Sequence, residues 1–128
     1  MTKIATDLEQ SKKLAKILPL DSADMYYEPS VGFRTEPSEL KVGNIKYAHP
    51  RSIPAWSLST LMDFLPIQFD WEFKTYKFKM CNDVYSIGEK YYDLGYQGSC
   101  GWLLYVDSKD LVDACVEMIV QLKEKELL

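Results

Sequence analysis

Histidine is nearly missing from this chain: one, His49, stands among 128 residues. A His-dependent proton relay or nucleophile has only that residue to use. No spacing pairs it with Cys100 or Cys81, and a surface or hydrogen-bonding histidine is the expectation. Cysteine is also scarce. Cys81, Cys100 and Cys115 make an odd set with no CxxC and no metal-type spacing, which reads as reduced thiols in a cytosolic protein. Positive charge is in deficit, with a net charge of −4 and a pI of about 5.0. That argues against a general nucleic-acid binder, which needs a basic face for phosphates, and leaves only a local patch open to such a role. The one dense basic run, Lys74, Lys77 and Lys79, reads as a lysine-guarded strand. The opening "MTKIATDLEQSKK" has no apolar stretch of the signal-peptide kind, and no apolar run approaches bilayer length, so a cytoplasmic protein without a membrane segment is expected. No Gly-x-Ser-x-Gly elbow, phosphate-cradling loop or calcium loop is present.

What is present suits one globular domain spanning residues 1–128. A chain of this size buries roughly two thirds of its unfolded surface and needs no staples. Aromatics are abundant, with nine Tyr, five Phe and three Trp, which favours strands and adhesive surfaces alike.

Thr6 and Glu9 make a capping box for a helix of about residues 7–18, stopped by Pro19. Met25 to Tyr27 reads as a strand ended by Pro29. Residues 32–35 and 44–48 read as weak strands between turns. In "SIPAWSLSTLMDFLPI", Ser57 caps a short helix on which Leu58, Leu61, Met62 and Leu65 share one face. Trp56 and Leu61 are placed as a hydrophobic staple, and Pro66 marks the stop. "FDWEFKTYKFKM" is the clearest strand, but its apolar phase slips after Thr75, which predicts a bulge there or a tight turn splitting the segment. Asn82-Asp83 reads as a turn, followed by a short strand "VYSI". Residues 88–101, with four glycines and three tyrosines, read as a long loop. "WLLYV", 102–106, reads as a central strand. Leu111, Cys115, Met118, Ile119 and Leu122, widened by Val112 and Val116, predict a helix over about 109–125, capped by Asp107 or Ser108. Strands and helices do not alternate regularly. The fold class is therefore α+β, a mostly antiparallel sheet with about three helices packed on one face.

No set of groups converges as catalysis requires. Asp107, Asp110 and Asp113 are three residues apart each, a spacing open to a divalent ion but better explained by aspartates gathering at a helix N-terminus. No metal or cofactor is expected. The remaining candidate is the tyrosine loop: Tyr91, Tyr92 and Tyr96 supply contact area at low entropic cost, each with a polar tip. They are the candidate contact residues for an unknown protein partner or for self-association. The rival is a pocket near residues 88–101, using Cys100 or His49, in a small enzyme or ligand binder.

Three segments, "SKKLAKILPLDSADMYY", "PAWSLSTLMDFLP" and "DLVDACVEMIVQL", resemble small uncharacterised proteins of prophages and mobile elements from anaerobic gut bacteria. There a Pro-Ala-Trp-Ser-Leu segment also precedes a short leucine-rich helix, and an Ala-Cys-Val-Glu-Met-Ile helix closes the chain. The resemblance implies a bacterial or phage cytosolic setting and an accessory role, with no catalytic residue to carry over.

Overall fold

The computed structural model describes residues 3–29, 37–48, 50–84 and 90–128. Its fold is α+β, with two antiparallel sheets and three α-helices. The chain divides into two compact units, residues 4–60 and residues 1–3 with 61–128.

In the unit of residues 4–60, Asp7 begins helix α1 (Leu8–Leu14). Its carboxylate accepts from the Gln10 backbone N–H at 2.8 Å, while the Gln10 side chain accepts from the Asp7 N–H at 3.1 Å. The capping box is thus one residue later than Thr6 and Glu9 predict. Thr6 is otherwise engaged. Its fully buried hydroxyl lies 2.8 Å from Ser11 Oγ and accepts from the Trp56 N–H at 3.1 Å. Its own N–H donates to the Trp56 carbonyl at 3.0 Å, and its carbonyl accepts from Tyr27 Oη at 2.7 Å. A buried polar group keeps its place only when satisfied, and here every Thr6 group is.

The three-stranded sheet has the order β2-β1-β3, from β1 (Met25–Pro29), β2 (Pro37–Val42) and β3 (Ile53–Ala55). Met25 pairs with Val42 on one side and Ala55 on the other. Ala5, Met25 and Ala55 form the core here, with Tyr27 and Leu40 packed against them. Trp56 is fully buried, and its Nε1–H donates to Ser22 Oγ at 3.0 Å. Residues 44–48, expected as a strand, form a 3-10 turn at Ile45–Tyr47, because Asn44 Oδ1 accepts from the Lys46 N–H and initiates a turn. The other expected weak strand, 32–35, lies outside the described residues.

Helix α2 (Leu58–Asp63) starts where Ser57 predicts, since Ser57 Oγ accepts from the Thr60 N–H at 3.3 Å. The Ser57 hydroxyl in turn donates to Asp24 Oδ2, and the Ser57 N–H donates to Asp24 Oδ1 at 2.9 Å. Burial pushes the Asp24 pKa up. The hydrogen bonds from Ser57 and Thr60 outweigh it and hold the carboxyl below its ordinary 3.8. A depressed folded pKa contributes stability that is present above 3.8 and lost as pH falls through the lowered value. Thermal melts of the wild-type protein should therefore lose midpoint below pH 4, and Asp24→Asn should flatten that acid limb.

In the unit containing residues 61–128, the sheet has the order β4-β5-β6-β7, from β4 (Gln68–Trp71), β5 (Lys74–Val84), β6 (Lys90–Gly98) and β7 (Gly101–Ser108). The phase slip expected at Thr75 has its cause slightly earlier. Trp71 pairs with Lys74 across a two-residue turn, in which Glu72 and Phe73 have φ of 48° and 67°. Positive φ at both centres is the geometry that Asn-Gly adopts without strain. Here a glutamate and a fully exposed phenylalanine hold it. Replacing the pair by Asn-Gly should raise stability by about 1 kcal/mol, read by urea denaturation.

Three further expectations are corrected here. Asn82 and Asp83 are not a turn but continue β5, where they pair with Tyr92 and Tyr91. The segment 88–101 is not a loop, because most of it is β6, paired on both sides. Strand β7 lies at the sheet edge rather than its centre. The "VYSI" strand lies outside the described residues apart from Val84.

Helix α3 (Leu111–Glu124) packs on β6 and β7 and buries Val112, Cys115, Val116, Met118, Ile119 and Leu122. These face Leu94, Tyr96, Leu104 and Val106, all 6% exposed or less. Each fully buried Leu, Ile or Met contributes about 1.5–3 kcal/mol relative to exposure. The N-cap is Asp110, whose carboxylate accepts from the Asp113 N–H at 3.2 Å and from the Lys3 N–H at 2.8 Å. Among the described residues no helix is long and apolar enough to cross a membrane.

Candidate binding surface on the four-stranded sheet

Successive strand side chains point to opposite faces. On β6, Tyr92, Leu94 and Tyr96 point to the α3 face, and Tyr91, Asp93 and Gly95 to the outer face. The three candidate tyrosines are therefore not one surface. Tyr96 is fully buried, its ring 4.8 Å from Phe69 and 5.4 Å from Phe78, and its hydroxyl donates to the Pro66 carbonyl at 2.8 Å. Burial raises its pKa, with the Cys115 thiol adding a smaller push. Tyr92 is half-buried on the same side. Tyr91 alone belongs to the outer face, where Lys109 Nζ sits 5.7 Å from its ring centre.

The outer face is organised by residues that the sequence reading passed over. Trp102 and Tyr105 are three apart, so a regular strand would send them to opposite faces. Between the Tyr96–Leu104 and Gln97–Trp102 pairs the register shifts, and Leu103 is passed over. This bulge re-aims Trp102 to the outer face beside Tyr105, and re-aiming a side chain is what bulges at sheet edges commonly do. The rings meet edge to face at 5.3 Å, and both residues are 45% exposed. Gly95 makes room for the indole: a Cβ there would stand 2.5 Å from Trp102 Cε3 and 2.7 Å from the Leu104 carbonyl oxygen.

Beneath the rings lies Asp93, only 6% exposed. Its Oδ1 accepts from Tyr105 Oη at 2.9 Å. Cys81, Asp93, Trp102 and Tyr105 line an open cavity of about 330 Å³. Directly across the strands, Asp93 is flanked by Cys81 on β5 and Asp107 on β7. Lys77 and Lys79 are exposed on the same face of β5.

Other candidates fall elsewhere. His49 lies outside the described residues. Cys100 is exposed in the β6–β7 turn, its Sγ 3.8 Å from both Lys74 Nζ and Ser99 Oγ. Asp110 caps α3 and Asp113 pairs with Lys3 Nζ at 2.8 Å, while Asp107 is on β7. Among the described residues, no three His, Cys, Asp or Glu side chains gather as metal ligands would. Cys115 is fully buried, and burial, helped by the Asp110 carboxylate, pushes its thiol up to about 12. A thiol so protonated is a poor nucleophile. An aromatic disulfide reagent should label Cys81 and Cys100 in the native protein and Cys115 only after unfolding, read by peptide mass spectrometry.

The surface therefore offers ring faces, one buried carboxylate and exposed lysines. Such a set of groups suits the binding of another molecule. Compared with protein-family models, curated proteins and solved structures, the chain matches none.

Proposed function

We propose that this chain is a non-enzymatic binding protein that acts by protein–protein contact through the outer face of the four-stranded sheet. One observation carries the reading: the bulge at Leu103 and the bare Gly95 together set Trp102 and Tyr105 on the face away from the α3 core. Half-exposed aromatics held in fixed positions are what interface anchors require. The likeness to mobile-element proteins supports an accessory role in a bacterial cytoplasm, with either a partner protein or a second copy as the occupant. Light scattering at several concentrations separates those two.

The cavity over Asp93 favours a second reading, a small-ligand binder, because it combines apolar walls with one convergent polar group.

The test is selection from a displayed random-peptide library against wild-type protein and Trp102→Ser in parallel. Enrichment of sequences that bind wild type and not the variant is expected. Sequences binding both equally, or none at all, contradict the reading.

A further inference from the structure

We infer that the cavity over Asp93 receives a guanidinium group, the side chain of an arginine presented by a partner protein. The inference rests on reading the outer face as the contact surface, and it names the chemistry that this face selects.

The first argument is charge. Asp93 and Asp107 stand directly opposite each other on adjacent strands, and like charges so placed are destabilising. Among the described residues, neither carboxylate forms an ion pair. Asp93 is more than nine-tenths buried, and its one hydrogen bond comes from the neutral Tyr105 hydroxyl. A buried carboxylate is costly unless a cation compensates it. The chain's own cations on this face lie elsewhere: Lys79 is opposite Gly95, Lys77 is opposite Gln97, and Lys109 lies over Tyr91. Among the described residues, none of these cations forms an ion pair with Asp93.

The second argument is shape and surface. The walls are the Trp102 and Tyr105 rings, whose faces attract cations. A hydrated divalent ion needs several oxygen ligands, which aromatic walls do not supply. A guanidinium is planar, weakly hydrated and able to stack on an indole while donating in-plane hydrogen bonds to a carboxylate. Among the described residues no donor reaches Asp93 Oδ2, and Asp107 lies across from it at the rim. An ammonium meets the charge but not the stacking.

The test is nuclear magnetic resonance titration of the full chain with acetyl-Gly-Arg-Gly-amide, and with the matching lysine and citrulline peptides. The arginine peptide should shift the Trp102 indole N–H and the backbone signals of Cys81, Asp93 and Tyr105. Lysine should bind more weakly, and citrulline, which keeps the shape without the charge, should not bind. Asp93→Asn should weaken the arginine peptide by about tenfold, the loss of one charged hydrogen bond. If that variant misfolds, Asp107→Asn, changed at an exposed position, should still weaken it measurably. Equal binding of citrulline, preference for lysine, no response to arginine, or the same shifts produced by calcium alone would each overturn the inference. Library peptides that need Trp102 but contain no arginine would overturn it too, while leaving the contact surface standing. A library that yields no Trp102-dependent peptide removes the surface itself.

Discussion

A Gly95→Ala protein is expected to lose about 2–3 kcal/mol of stability, a large share of what a small domain has. The added methyl meets two obstacles. One is the Trp102 ring, 2.5 Å from the new carbon, and the other is the Leu104 carbonyl oxygen at 2.7 Å. A side chain can swing away, but the carbonyl belongs to the strand paired with β6, so the ladder itself must shift. The double variant Gly95→Ala with Trp102→Ala separates the two. With the ring removed, the methyl should cost about 1 kcal/mol less than it does in wild type. Urea denaturation of the four proteins gives this cycle. A Gly95→Ala protein within about 0.5 kcal/mol of wild type would mean that the indole does not lie on Gly95.

Trp56→Ala should be the most damaging single change, at about 3–5 kcal/mol. The indole is fully buried, so truncation leaves a cavity as well as lost transfer energy. It also removes the Nε1–H donor from Ser22 Oγ, although that hydroxyl keeps its own bond to the Pro19 carbonyl. Trp56→Phe should cost clearly less, since it retains much of the apolar volume and loses one neutral hydrogen bond, worth about 1 kcal/mol. Chemical denaturation ranks the two. If both cost the same small amount, the tryptophan is not the keystone of residues 4–60.

The sequence was most readable where one face is buried over many residues. The α3 stripe spans about three turns, and all but Leu111 of its predicted members are buried. Its start was misplaced because three aspartates near the N-terminus are chemically equivalent as caps, and only the Lys3 and Asp113 contacts single out Asp110. The α1 cap moved from Thr6 to Asp7 for a related reason: the Thr6 hydroxyl is taken by Ser11 and Trp56, residues distant in sequence or pointing inward. The phase slip in β4–β5 was visible as a break in alternation. Its site was hidden, because Glu-Phe is not a turn dipeptide and holds positive φ against its own preference.

The candidate site was less legible. Glycines made residues 88–101 look like a loop, whereas Gly95 is a clearance in a strand, a role that depends on a ring seven residues away. Asp93 lies in that same stretch and carried no motif. Its pairing with Asp107 depends on strand register, and the orientation of Trp102 depends on a bulge that the local sequence marks only through the spacing of two rings. One clue was available. In "WLLYV", Leu104 and Val106 alternate with Tyr105, and an aromatic three residues before Tyr105 asks for a bulge if both rings are to share a face.

The most direct measurement is chemical-shift mapping of the full chain with a Trp102-dependent peptide from the library. The account predicts an alternating pattern. The side-chain signals of Lys79, Cys81, Asp93, Trp102 and Tyr105 should move, and those of Phe78, Met80, Leu94, Tyr96 and Leu104 should stay. Shifts centred on α3 or on residues 4–60, with the outer face unchanged, would contradict it.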